Sequence, residues 1–65
     1  RVWAQYVIDT TGHVDLGSVQ FLLSDGPGFE KEVLRALRAI RFSPAREGGQ
    51  AISVLGFQPF TFKAP

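Results

Sequence analysis

One amphipathic helix followed closely by a proline is the feature that most limits what this chain can fold into. Apolar residues recur at helical spacing and form one stripe, consisting of Phe29, Val33, Ala36, Leu37 and Ile40. Ser24 or Asp25 can cap the helix, and Pro27 suits its first turn. Pro44 excludes further helix soon afterwards. Because a single stripe needs a partner surface, we expect the remaining segments to supply a sheet.

Two strand-like segments joined by a glycine turn precede the helix. Residues 2–9 and 14–24 are rich in β-branched and aromatic residues, as strands are. Residues 10–13 form the turn, where Gly12 can adopt a positive φ. Gly17 interrupts the second segment and is expected at a bulge. The two segments are therefore predicted to pair as a β-hairpin.

A last strand is predicted at residues 51–62, after a polar loop at residues 45–50. Pro59 cannot donate a hydrogen bond to a ladder, so this strand is expected at a sheet edge or a bulge. The resulting order is β-β-α-β, a three-stranded antiparallel sheet with one helix packed on one face. The predicted fold class is α+β, and residues 1–65 form one domain.

Side-chain alternation separates a helix-covered face from an open face of this sheet. The residues predicted to face the helix are Val2, Ala4, Tyr6, Ile8, Val19, Phe21 and Leu23. Trp3, Val7 and Leu22 are then left on the open side. Scattered apolar surface residues are normal, but the same three residues are also a possible interface patch for a second chain.

Composition narrows what can stabilise so short a chain. A domain of this size buries only about 60 % of the surface that its unfolded chain exposes. It often needs an additional stabilising element, such as a disulfide, a metal ion or a partner chain. The 65 residues contain no cysteine, and His13 alone cannot form a metal site. No cofactor or metal is therefore expected. The remaining candidate is another chain, either a second copy or a bound segment.

Catalysis and nucleic-acid binding are both disfavoured by the sequence. No nucleophile motif surrounds any serine, and His13, Asp9 and Asp15 lie at or beside the hairpin turn, which favours turn chemistry. The net charge is only +1. A basic group is present at Arg35, Arg38, Arg41 and Arg46, but interspersed glutamates dilute it. We therefore predict that the chain is neither an enzyme nor a nucleic-acid-binding protein.

Three segments together resemble the C-terminal domain of TonB-type energy transducers. Residues 6–15 are similar to the first hairpin of that family, with its glycine turn. Residues 29–45 are similar to its helix and to the aromatic-x-Pro exit that follows, although Ile40 stands where the family usually has an aromatic residue. Gly49 and the strand ending at residues 59–62 complete the match, which spans nearly the whole chain.

The resemblance implies a periplasmic domain of an inner-membrane-anchored protein in a Gram-negative bacterium. The anchor would work with a proton-driven motor, and this domain would bind an extended segment, the TonB box, of an outer-membrane transporter. That segment is expected to add as a strand beside the last strand. The predicted docking edge consists of Ile52, Ser53, Val54, Leu55, Gly56 and Phe57.

Two alternatives remain open at the sequence level. A homodimer can use the same edge by pairing or exchanging strands. TonB-like domains also occur in other bacterial envelope proteins, where they need not power transport.

Overall fold

The structure is a computed structural model, and it describes residues 1–61. Its elements in chain order are β1 (Val2–Ile8), β2 (Val14–Leu23), α1 (Pro27–Ala39), β3 (Ala45–Glu47), β4 (Gln50–Ile52) and β5 (Val54–Phe60). The α+β class is confirmed, with one helix and a three-stranded antiparallel sheet in the described chain. The element order differs from the predicted β-β-α-β, because the predicted last strand is divided at Ser53. Its predicted end, Phe62, lies outside the described residues.

The prediction of a loop at residues 45–50 was wrong. β3 and β4 form a two-stranded antiparallel sheet of their own. Gly48 and Gly49 connect them with φ values of 58° and 82°, as a two-residue type I′ turn requires. The Arg46 guanidinium donates a hydrogen bond to the Gly49 carbonyl oxygen at 3.2 Å. The glycine pair therefore marks a hairpin turn, which the polar composition of the segment obscured.

The main sheet has the strand order β2-β1-β5, with β1 at its centre. β1 and β5 pair without interruption along all seven residues of each strand, from Val2 opposite Phe60 to Ile8 opposite Val54. The outer side of β5 pairs with no other strand among the described residues. The strand that contains Pro59 thus lies at a sheet edge, where a proline is tolerated.

β2 departs twice from regular pairing with β1. The first irregularity surrounds Gly17, as the sequence predicted. Here the Ser18 hydroxyl accepts a hydrogen bond from the Val7 N–H at 2.8 Å and donates one to the Asp15 carbonyl oxygen at 2.6 Å. The side chain thereby substitutes for main-chain ladder bonds that the bulge removes.

The second irregularity overturns the predicted face of Leu23. Leu23 pairs with Trp3 and Phe21 pairs with Ala4, which leaves Leu22 as an extra residue between them. An extra residue shifts the alternation by one position. Leu23 therefore shares the open face with Trp3 and is 53 % exposed, rather than facing the helix as predicted.

The core lies between α1 and the β1–β2 hairpin. Its buried residues are Val2, Ala4, Tyr6, Ile8, Val14, Val33 and Leu37. The predicted helix-facing set of β1 is thus confirmed in full, and Val19 and Phe21 pack against this core from β2. Phe29 departs from the predicted stripe with 42 % exposure. The buried residues of α1 are Val33 and Leu37, so burial of the helix begins one turn after Phe29.

The helix begins without the predicted side-chain cap. Gly26 is the N-cap residue, and its carbonyl oxygen accepts hydrogen bonds from the N–H groups of Phe29 and Glu30. The Ser24 hydroxyl instead accepts from the Gly26 N–H and donates to the Glu30 carboxylate at 2.6 Å. Ser24 therefore ties the incoming chain to the first turn of the helix. Capping of α1 by Ser24 or Asp25 was a wrong prediction.

Candidate functional site

The predicted docking edge is divided between two sheets. Ile52 belongs to β4 and pairs with Ala45, whereas Ser53 is exposed between the two strands. The remaining four residues belong to β5, namely Val54, Leu55, Gly56 and Phe57. The regular part of the edge therefore starts at Val54 and extends to Phe60, three residues beyond the predicted set.

Hydrogen bonds at two positions of β1 and its turn determine which way its main chain points. Val7 donates its N–H to Ser18 in β2, and Asp9 donates its N–H to the His13 carbonyl oxygen at 2.8 Å. Successive residues of an antiparallel strand alternate in direction, and the N–H and C=O of one residue point to the same side. Odd-numbered residues of β1 therefore point towards β2, and even-numbered residues point towards β5.

The same alternation assigns the main-chain groups of β5. Val54, Gly56, Gln58 and Phe60 lie opposite the even-numbered residues of β1 and direct their N–H and C=O groups inward. Leu55, Phe57 and Pro59 consequently direct theirs to the outer side. Pro59 has no N–H to lose there, which agrees with the assignment. The outer edge thus presents two N–H donors, those of Leu55 and Phe57, with carbonyl acceptors alongside.

Two large apolar side chains accompany these two donors. Leu55 is 68 % exposed and Phe57 is 58 % exposed. Both lie on the open face, and Trp3 stacks against Phe57 with a distance of 4.9 Å between ring centroids. Leu23 extends this surface on the far side of Trp3. We call Trp3, Leu23, Leu55 and Phe57 the open-face cluster.

The predicted interface patch overlaps only partly with this cluster. Trp3 and Val7 are half-buried on the open face, and Val7 lies opposite Leu55. Leu22 is 53 % exposed, but it is the extra residue of the bulge and has no partner position in the ladder with β1. Leu55 and Phe57 belong to the predicted docking edge, but the sequence of residues 54–60 does not alternate between apolar and polar residues and so does not single them out.

Tyr6 fastens β5 to the sheet on the helix-side face. Its ring lies over Gly56, where an added Cβ would be 2.6 Å from the ring carbon Cε1. Its hydroxyl donates a hydrogen bond to the Gln58 side-chain oxygen at 3.0 Å, and burial raises the pKa of Tyr6. The elements that α1 contacts most are β1 and β2. β5 is therefore held by the β1 ladder, by the Tyr6 side chain and by Val54 and Phe60, which pack against the core.

The two edges of the main sheet differ in their suitability for adding a strand. β2 carries two register irregularities, and bulges of this kind obstruct edge pairing. β5 pairs with β1 in unbroken register. The regular, apolar β5 edge is consequently the better template for another strand.

The candidate polar residues near the hairpin turn build the turn itself. The Asp9 carboxylate accepts hydrogen bonds from the Thr11 hydroxyl at 2.6 Å, the Thr11 N–H at 2.8 Å and the His13 N–H at 3.1 Å. The Thr11 side-chain hydrogen bond, followed by the backbone bonds, holds the pKa of Asp9 below its ordinary value. His13 is exposed, with its Nδ1 2.8 Å from the Thr11 hydroxyl oxygen. This arrangement accounts for these residues as turn chemistry.

The four candidate arginines do not form one surface. Arg35 and Arg38 line a shallow groove on the exposed side of α1, together with Lys31 and Leu34. Arg41 lies beyond the helix, where its backbone pairs with that of His13 as an isolated β-bridge. Arg46 donates its side-chain hydrogen bond within the β3–β4 hairpin.

Residues 1–61 provide neither a membrane-spanning helix nor a metal site. The one helix in this range, α1, has 13 residues, too few to span a membrane. No group of three or more histidine or acidic residues in that range is placed to hold a metal ion.

Comparison with known proteins relates the chain to a protein family. The family model described as "Gram-negative bacterial TonB protein C-terminal" matches residues 1–64. No curated protein and no solved structure matches the chain significantly.

Proposed function

The chain belongs to the Gram-negative bacterial TonB protein C-terminal family, and we propose that it is the receptor-binding domain of a TonB-type energy transducer. Domains of this family occur in the Gram-negative envelope, interact with outer-membrane receptors and are not catalytic. In our proposal the domain lies in the periplasm and binds the TonB box of an outer-membrane transporter by β-strand addition. A membrane anchor outside this chain would link it to the proton-driven motor of the inner membrane.

The observation that supports this proposal most strongly is the outer side of β5, which pairs with no strand within residues 1–61. Leu55 and Phe57 direct their N–H and C=O groups away from the sheet, and they belong to a strand that is held in unbroken register by β1. An exposed edge of this kind recruits extended segments. Strand addition gains affinity from main-chain hydrogen bonds, so it suits a short receptor segment that has no fold of its own.

Pro59 limits the length of such a complex. It supplies a carbonyl acceptor on the outer side but no donor. An added strand therefore finds two complete positions, at Leu55 and Phe57, and one half position at Pro59. We expect pairing to end at Pro59. The other end of the bound segment would then lie near Ser53, which is exposed just before β5.

A backbone titration tests the proposal. A synthetic peptide that carries the TonB box of an outer-membrane transporter is added to ¹⁵N-labelled domain. We expect the amide resonances of Leu55 and Phe57 to shift most, with smaller shifts at Trp3 across the open face. If the resonances of residues 52–57 do not move at millimolar peptide, the proposed function is wrong.

A second candidate function is a TonB-like interaction or dimerisation domain of another envelope protein. The observation in its favour is that the open-face cluster and the unpaired edge are contiguous, which also suits a second copy of the chain. Sedimentation over a range of concentrations distinguishes the two. A dimer that dissociates when the peptide is added would mean that the second copy and the peptide compete for the same β5 edge. A monomer at all concentrations removes the dimerisation candidate.

A further inference from the structure

We propose that the segment bound at β5 carries apolar side chains at alternate positions, and that these pack against Leu55 and Phe57 on the open face. This inference rests on the proposed function and specifies the chemistry of its ligand. It makes the domain selective for a pattern of residues, in addition to main-chain pairing.

The direction of the β5 main chain determines which ligand side chains meet the domain. In an antiparallel ladder, residues opposite one another place their side chains on the same face. Leu55 and Phe57 are the positions whose main-chain groups point outward, and their side chains lie on the open face. Ligand residues that pair with these two positions therefore project onto the open face as well, two residues apart.

The open face at these two positions is apolar and incompletely covered. Gln5 lies opposite Phe57 and Val7 lies opposite Leu55, yet the leucine and phenylalanine remain 68 % and 58 % exposed. The stacked Trp3 ring supports Phe57 from the side of β1. Within residues 1–61, no strand pairs with β5 on the side away from β1, which is the side on which a ligand strand would lie. Apolar ligand side chains would remove this apolar surface from water and contribute free energy of binding, whereas polar side chains would contribute less.

The helix-side face of the same edge offers a bound segment fewer side-chain contacts. Gly56 has no side chain, and Tyr6 occupies the space above it. The Gln58 side-chain oxygen accepts a hydrogen bond from the Tyr6 hydroxyl, so this side chain already has a partner within the sheet. The ligand residue between the two apolar positions lies beside Gly56 and finds no β5 side chain to pack against. The two faces together favour alternation, because apolar ligand side chains gain contacts at Leu55 and Phe57 on the open face and not at Gly56.

Two peptides of equal composition test the inference. One alternates valine and threonine over seven residues, and the other places its valines in one block; both carry a terminal lysine and glutamate for solubility. We expect the alternating peptide to bind about threefold to tenfold tighter, from two cross-strand apolar contacts. Trp3 is the single tryptophan of the chain, so its emission should shift to the blue with the alternating peptide and change less with the other.

The variant Leu55→Thr/Phe57→Thr provides the matched control. Threonine keeps the N–H donors and the strand propensity at two exposed positions, so the edge stays available. The preference for the alternating peptide should disappear in this variant.

The outcomes separate the inference from the proposed function. Equal binding of both peptides with shifts at Leu55 and Phe57 would leave strand addition intact and overturn the inference. Absence of amide shifts with either peptide and with the TonB-box peptide would overturn both. A preference that persists in the double threonine variant would also overturn it, because the selectivity would then lie elsewhere.

Discussion

Phe42 donates its backbone N–H to the carbonyl oxygen of Gly12 at 2.8 Å, which ties the exit of α1 to the turn of the first hairpin. Gly12 has a φ of 89°, and a Cβ there would collide with the Phe42 carbonyl oxygen. The neighbouring residues His13 and Arg41 form an isolated antiparallel β-bridge, which extends this backbone contact. Two segments that the sequence presents as separate motifs, the glycine turn and the aromatic-x-Pro exit, are therefore parts of one junction.

Replacing Gly12 with alanine should destabilise the domain strongly. The substitution combines a left-handed backbone conformation with a backbone collision, and we expect a loss of about 2–4 kcal/mol in the free energy of unfolding. Urea denaturation followed by Trp3 fluorescence measures it. Gly28→Ala is the matched control, because its Cβ meets open space in α1 and should stabilise the domain by up to about 1 kcal/mol. Equal effects of the two substitutions would contradict the proposed junction.

Replacing Gly56 with alanine should loosen β5. The new methyl group would displace the Tyr6 ring and weaken its bond to Gln58, at a cost of about 1–3 kcal/mol. Gly17→Ala is the control, since its nearest neighbour, an Asp15 carboxylate oxygen, is 3.4 Å away, and we expect a change within about 0.5 kcal/mol. Thermal unfolding of both variants checks this. A stable Gly56→Ala variant would mean that Tyr6 does not fasten the edge.

Removing one outward donor should abolish much of the peptide affinity without unfolding the domain. Leu55→Pro deletes an N–H that points away from β1, so the ladder with Ile8 and Tyr6 on either side of it is retained. Leu55→Ala loses the same side chain but keeps the N–H. We expect the proline variant to bind the TonB-box peptide about tenfold more weakly than the alanine variant. Calorimetric titration of the two gives the ratio, and an equal affinity would place peptide binding elsewhere.

The Asp9 turn should make stability depend on pH under acidic conditions. The pKa of Asp9 is lower in the folded domain than its ordinary value of 3.8. The carboxylate therefore stabilises the fold above that value, and this contribution is lost as the pH falls through the lower folded pKa. We expect the difference in unfolding free energy between the wild type and Asp9→Asn to be largest at pH 7 and to shrink below about pH 4. A difference that stays constant from pH 7 to pH 2.5 would argue against the Asp9 hydrogen bonds.

Much of the central hairpin and helix was predictable from the sequence, because local pattern determines them. The buried set of β1 follows from strict alternation, and Gly12 follows from the need for positive φ. Leu23 was misassigned because the extra residue at Leu22 reverses the alternation, and this bulge, unlike the one at Gly17, contains no glycine to mark it. The β3–β4 hairpin was missed because its strands are short and polar, although its Gly48–Gly49 pair is a known turn signal.

The candidate edge was predictable in position but not in detail. Pro59 placed the last strand at an edge without indicating which residues point outward. That information comes from the Val7–Ser18 hydrogen bond between β1 and β2 and from the register of β5 on β1, neither of which a local pattern specifies. The exposure of Leu55 and Phe57 depends likewise on tertiary structure, because both side chains lie on the face of the sheet that α1 does not cover.

Amide hydrogen exchange at four consecutive positions of β5 tests the central claim most directly. In the unbound domain, the N–H groups of Gly56 and Gln58 should be protected by β1, while those of Leu55 and Phe57 exchange rapidly. Saturating TonB-box peptide should slow exchange at Leu55 and Phe57 by about tenfold or more, since both donors become bonded. Protection of Leu55 and Phe57 before peptide is added, or rapid exchange at both positions in the saturated complex, would contradict the account.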